Sequence, residues 1–375
     1  MTEHEKLFFS ILRSALWGTP VEVPEGFSQW SIIMKLAKTQ ALMGLVGDVL
    51  LTRREIRDTL PPKFVEKLQD IPMTNVGMHS QMNMTLQLVV LTLRKAGIEP
   101  VLLKGQGLAR NYPVPELRQC GDIDLYVGEK NYEKVHSLLE PIASEIDEFS
   151  RLAIGKHFHL KVANSLIEVH RFADVHTSPT FNEIYQEYES EGLSKDLVPI
   201  NFGDIAVNTP ADNFNAFYVF NHLWHHFITE GVGLRQMCDW MLFLHTRRGC
   251  LDLDYLKQLL ERMDLVLPWK TFGCILVDYL GMSSDEFPFY DQNYASKGRM
   301  VFERIMKEGN FGQETSYVRR RKHSYFYEKW VSLKCHVSRI IGLVRIFPRH
   351  SFRQFGYTIS KGFQVVWKDK FKKNI

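Results

Sequence analysis

The sequence predicts an α+β protein: a small mixed sheet with α/β-type connections, set between an N-terminal and a C-terminal helical region. Three observations predict it. Residues 1–95 and those from 205 onward carry apolar side chains at helical spacing. Between them, short β-like runs alternate with short helical ones. Residues 156–172 alternate polar and apolar on either side of a turn. The expected divisions are a helical region at 1–95, the core at 96–204, a helical domain at 205–318 and a basic tail at 319–375.

The elements follow in order. SQWSIIMKLAKTQALMGLVGDVLL reads as one helix capped by Ser28 or Ser31. SQMNMTLQLVVLTLRKAG reads as a second, stopped by Gly97 in the left-handed conformation. Pro100 to Leu103 is a short strand, GLARNYP opens a helix, Asp122 to Val127 is a strand, and NYEKVHSLLEPIA a helix. In KHFHLKVANSLIEVHRF a two-residue turn at Asn164-Ser165 makes a hairpin. That register pairs Ala163 with Leu166, Lys161 with Glu168 and His159 with His170. It places His159, Lys161, Glu168 and His170 on one polar face. Thr209 is the expected cap of the next helix, with Pro210 and Asp212 completing a capping box. GLRQMCDWMLFLHTRRG and LDLDYLKQLLERM are further helices.

At 375 residues the chain can bury a sizeable core. No window approaches ~18 uninterrupted apolar residues, and the start lacks the basic, then apolar, pattern of a secretory signal. The five cysteines form no CxxC pair, which argues against a cysteine zinc site and fits a reducing cytoplasm. Charge is uneven. Residues 319–375 hold 15 Lys/Arg and 2 Asp/Glu, a net of +13, while the rest carries −10. A basic tail on an acidic body implies an anionic partner for the tail.

The chemistry centres on GDIDLYV. Asp122 and Asp124 project from the same side of a strand. Two carboxylates there repel unless a cation joins them, and hard cations such as Mg²⁺ prefer carboxylate oxygens and recruit phosphates. The hairpin offers Glu168 as a third. Three carboxylates on neighbouring strands can hold the two metals of phosphoryl transfer. Upstream, Gly105 and Gly107 lie between a strand and a helix, where backbone N–H groups can approach phosphates. Lys104 and Arg110 add cationic donors. The plain alternative is a surface D-x-D and an ordinary turn.

Together LLKG, GDIDLYV and IEVH resemble the nucleotidyltransferase superfamily related to DNA polymerase β. They look most like its minimal, largely uncharacterised bacterial branch. GLRQMCDW and EGNFG look like parts of its C-terminal half, so the resemblance spans about residues 30–315. It implies a nucleotidyltransferase core that moves a nucleoside monophosphate from an NTP, ATP by default, to an unknown acceptor, releasing pyrophosphate. Asp122 and Asp124 would bind two Mg²⁺ ions, with Mn²⁺ the alternative. Glu168 would bind the catalytic ion and help activate the acceptor. The Gly105 turn would hold the β- and γ-phosphates. The superfamily has Gly-Ser or Gly-Gly at that turn; here it is Gly105-Gln106, 17 positions before Asp122. Lys104, Gln106 or Arg118 would then replace the missing serine. Arg235, in the family-like GLRQMCD helix, is a candidate triphosphate or acceptor contact, or else an i,i+4 partner of Asp239. His159, Lys161 and His170 are candidate acceptor or phosphate contacts.

Three alternatives stand beside this. A non-catalytic accessory factor of a membrane surface or a polysaccharide pathway would keep the fold without the reaction. A zinc hydrolase would use His222 and His226, which share a helical face with His225 but lack an HExxH pattern. For the tail, the choices are a helix packed on the core, an anionic membrane surface or nucleic acid. The location expected is cytoplasmic, with peripheral attachment to the inner membrane surface if the tail binds lipid.

Overall fold

The computed structural model describes residues 1–147, 155–176, 178–310, 334 and 337–356. The chain is mixed α+β, with helical flanks on a mixed sheet. Its helices are α1 (Glu3–Trp17), α2 (Trp30–Thr39), α3 (Met43–Thr52), α4 (Arg54–Arg57), α5 (Pro62–Lys95), α6 (Gln106–Ala109), α7 (Tyr132–Leu139), α8 (Pro179–Gly192), α9 (Asp212–Thr229), α10 (Leu234–Thr246), α11 (Leu253–Arg262), α12 (Val266–Asp278) and α13 (Ala295–Glu308). Its strands are β1 (Val101–Leu102), β2 (Asp122–Tyr126), β3 (Glu145–Asp147), β4 (His157–Val162), β5 (Ser165–His170), β6 (Val198–Phe202) and β7 (Ile205–Thr209). No helix among the described residues is long and apolar enough to cross a membrane.

The sheet runs β3-β4-β5-β2-β1-β7-β6. β2 and β5 are parallel, with Asp124 opposite Glu168 and Tyr126 opposite His170. β1 is antiparallel to β2 and parallel to β7. Ile123, Leu125, Phe158, Leu160, Ile167 and Val169 point to one face, where α5 and α7 cover them with Leu86, Val89, Val90, Val135 and Leu139. The alternation of the strands sends their polar residues to the opposite face. A larger aromatic core, with Trp240, Trp269 and Phe220 at its centre, holds the C-terminal helices together.

Several expectations change. The expected first helix is two, α2 and α3, broken where Ala41 takes φ 56°. Its cap residue is Gln29, with no side-chain cap bond, so neither Ser28 nor Ser31 serves. The second helix begins 18 residues earlier than its apolar pattern, at Pro62, where proline suits the first helical turn. Its added length matters. Asn75 donates to Glu116 O at 2.9 Å and His79 Nε2 sits 2.7 Å from Arg118 O, clamping the loop that leads into β2. Gly44 of α3 comes so close that a Cβ there would meet Leu117 O at 2.3 Å.

The hairpin turn is Ala163-Asn164, with φ of 45° and 64°, instead of Asn164-Ser165. Val162 pairs with Ser165, His159 with Glu168 and His157 with His170. Ser165 is held in the strand from outside: its buried hydroxyl lies 3.1 Å from Thr85 Oγ1, and Gln81 donates to Ala163 O. The turn moves one residue, so the pairing shifts by two and every side chain keeps its face. Thr209 is not a helix cap. It ends β7 and donates to Val198 O at 2.8 Å, while Ala211 caps α9 without a side-chain bond. The hairpin β6–β7 carries the sheet beyond residue 204.

In the basic tail, residues 337–356 are largely helical and dock on the body. Ile340, Leu343, Ile346 and Phe347 are buried, with Phe347 against Trp224 at 4.8 Å between ring centroids. Arg339 donates to Phe227 O at 2.9 Å and pairs with Glu308 at 2.5 Å. This stretch follows the packed-helix alternative. Most of the rest of 319–375, and Phe311-Gly312 of the EGNFG motif, lie outside the described residues.

Candidate active site

β2 and β5 set the site because they are adjacent and in register. Asp122, Asp124 and Glu168 each place a carboxylate oxygen within 4.8 Å of the others. They open into a cavity of about 330 Å³ between the polar sheet face and helices α9 and α10. Lys104, Gly105, His157, His159, His170, His222 and Arg235 also line it.

The three carboxylates differ. Burial opposes ionisation of Asp124, but Lys104 at 3.0 Å and His170 Nε2 at 3.0 Å hold it below its usual range. Burial opposes Glu168 too, yet His170, His157 and His159 keep it well below. Asp122 is pushed up to about 6, first by Asp124 and then by burial, with Lys104 only partly offsetting them. Asp122 is therefore the under-compensated carboxylate. Lys104 is buried, which disfavours its charge, but the carboxylates outweigh burial and raise its pKa. It also donates to His222 Nε2 at 3.2 Å. Burial and the ammonium hold His222 well below its usual range, so its ring is neutral and free to accept.

Gly105 has φ 60°, and a Cβ there would come within 3.1 Å of Asp122 O. Glycine is thus needed both for the backbone conformation and for the close approach. The helix after it, α6, is one turn of four residues, too short for the helix-terminus anion argument the sequence invites. Gly107 packs against Thr209 and Leu102. Gln106 is 1% exposed, with no hydrogen-bond partner for its amide among the described residues.

Among the other expected contacts, Arg110 turns to the β6–β7 hairpin, donating to Asn201 O with its guanidinium over Phe202. Lys161 points to Glu145 at 3.5 Å and does not line the cavity. Arg118 reaches the cavity wall, but its guanidinium is committed to Asp239 at 2.6 and 2.8 Å. The expected Arg235–Asp239 pair is therefore replaced, because a planar fork reaches both carboxylate oxygens. Arg235 donates to Gln119 O at 2.7 Å and stays on the cavity wall. His159 lies 3.6 Å from Glu168. The α9 histidines take different polar partners, although His222 and His226 keep their ring centroids 4.4 Å apart: His222 meets Lys104, His225 faces Asp174 at 3.3 Å and His226 faces Glu230 at 3.4 Å.

His157 escaped the sequence reading, although the alternation of β4 extended one step back from His159 points to it. Lys156 and Asp174, paired at 2.8 Å, left no local signal.

A family model described as an uncharacterised nucleotidyltransferase matches residues 28–275, more than half of the chain. The chain belongs to this uncharacterised nucleotidyltransferase family. The family match covers β2, β5 and the helices α9 and α10 that close the cavity. Among solved structures, an antigenic nucleotidyltransferase-like protein from Paracoccidioides brasiliensis is similar at 12% identity and a TM-score of 0.32, covering 57% of this chain and 96% of that one. No curated protein matches.

Proposed function

We propose that this nucleotidyltransferase-family chain is an active, metal-dependent enzyme that moves a nucleoside monophosphate from an NTP to an acceptor. One observation carries the reading: three carboxylates converge from parallel neighbouring strands beside a lysine-glycine turn. The donor set is all oxygen and under-compensated at Asp122, which fits a divalent cation such as Mg²⁺. Asp122, Asp124 and Glu168 would hold the ions. Bound there, Mg²⁺ would neutralise charge on the phosphates and the attacking oxygen.

The chain's own groups do the rest. The acceptor attacks the α-phosphorus in line and releases its proton to solvent water, the bond to the α–β bridging oxygen breaks, and pyrophosphate leaves with that electron pair. Lys104 holds Asp124 in place and adds positive charge beside the turn. Gly105 allows backbone approach to phosphate, with Arg235 on the same wall. Glu168, held well below its usual range, serves as a ligand and is a poor proton acceptor. ATP is the default donor. Lys156, His225 and His226 line the side left for the acceptor.

Calorimetry of the pure full-length chain with Mg²⁺ and a non-hydrolysable NTP tests this. Binding that is lost in Asp122→Asn is expected. No binding by the wild type, together with liposome binding that disappears on deleting 357–375, would favour the accessory-factor alternative.

A further inference from the structure

We propose that His157, Glu168 and His170 form a second cation site that takes a transition-metal ion in preference to Mg²⁺. The proposal deepens the reading above and rests on it only for the role of the adjoining aspartates. The hairpin register places His157 directly opposite His170. Nδ1 of His157, a carboxylate oxygen of Glu168 and Nε2 of His170 lie within 4.8 Å of one another.

One of these ring nitrogens lacks a hydrogen bond, and the other ring is oriented by its own hydrogen bonds. His157 Nδ1 is buried and sits 2.8 Å from Glu168 Oε1, yet it is misaligned and makes no hydrogen bond. His170 Nδ1 lies 3.3 Å from Phe172 O, which can only accept, so Nδ1 donates there and fixes the ring's orientation. Its Nε2 lies 3.0 Å from Asp124 Oδ1, with which it shares a hydrogen bond, and 3.5 Å from Glu168 Oε1. A metal ion would replace the proton on Nε2 and be shared with Glu168 and His157. A ring nitrogen anchored to a backbone carbonyl is also how proteins fix the tautomer of a histidine ligand.

The donor chemistry sets the preference. Two imidazoles and a carboxylate suit Mn²⁺ to Zn²⁺, whereas Mg²⁺ favours oxygen and keeps its waters. Glu168 belongs to this set and to the aspartate set, so it would be shared by both ions.

The test uses metal-free full-length protein without nucleotide. Titration with Co²⁺, followed by visible absorption and calorimetry, should show one tight ion per chain that survives a hundredfold excess of Mg²⁺. His157→Gln should weaken Co²⁺ by roughly tenfold or more, while Asp122→Asn leaves it in place. On the wild type, pulsed electron paramagnetic resonance with Mn²⁺ should detect directly bound imidazole nitrogen, so the proposal stands or falls even if the variant misfolds. Absence of nitrogen coupling, displacement of Co²⁺ by equimolar Mg²⁺, or unchanged Co²⁺ affinity in His157→Gln would overturn it. Co²⁺ binding as described, without NTP binding, would sink the nucleotidyl-transfer reading and leave this site standing. NTP binding without nitrogen coupling would do the reverse.

Discussion

Lys104 Nζ lies 3.0 Å from Asp124 Oδ1, a buried ion pair at the point where β1 leaves the sheet beside β2. It makes the two aspartates unequal. Asp124 is already neutralised from within, whereas Asp122 carries the repulsion.

Asp122→Asn is therefore the cleaner probe of the metal site. It should cut nucleotidyl transfer by more than about 100-fold and, by removing that repulsion, make the metal-free protein more stable than wild type above about pH 6. Asp124→Asn should also inactivate, but it leaves a buried ammonium without its partner, at a cost of roughly 3–5 kcal/mol. Urea unfolding followed by circular dichroism separates them. Equal midpoints for the two variants would contradict the assignment.

Folding raises the Asp122 carboxyl to about 6. Its contribution to stability is full below about pH 4, the ordinary value of the unfolded chain, and is lost as pH rises through 6. A divalent cation needs the ionised form and relieves the same repulsion. The rise in melting temperature on adding Mg²⁺ should be small at pH 5, grow through pH 6 and level off near 7. Differential scanning fluorimetry across that range reads it directly, and a pH-independent shift would count against a metal at Asp122.

Arg118 and Asp239 fasten the loop before β2 to α10, with both members nearly inaccessible. Asp239→Asn should cost roughly 3–5 kcal/mol because the guanidinium stays buried. Arg118→Lys keeps the charge but loses the fork, and should fall between it and wild type. Urea midpoints give that order. A near-neutral Asp239→Asn would show that the contacts of the loop with α3, α5 and Arg235 suffice to hold it.

Residues 337–356 behave as core. Phe347 is 0% exposed, so Phe347→Ala should destabilise by about 3–5 kcal/mol. Ile341, at 64% exposure, should tolerate Asp with a change within about 0.5 kcal/mol. Thermal melts of both variants check this. A Phe347→Ala protein with wild-type melting would return the segment to the role of a free basic arm.

The sequence by itself determined the α+β class, the strand bearing Asp122 and Asp124, the hairpin bearing Glu168 and the faces of those three strands, but not β3, β6 or β7. Those features are local. A period of two fixes which way a strand side chain points, and a two-residue slip of the hairpin leaves that unchanged. Only the tertiary structure decided the partners. Thr85 and Gln81 on α5 moved the turn to Ala163-Asn164 and so set His157 against His170. Asp239 drew Arg118 into a fork, and His222, 118 residues away, came to Lys104. Such choices rest on competition among buried charges for the nearest compensating group. That competition is settled by distance in the folded chain and leaves no periodic trace in the sequence.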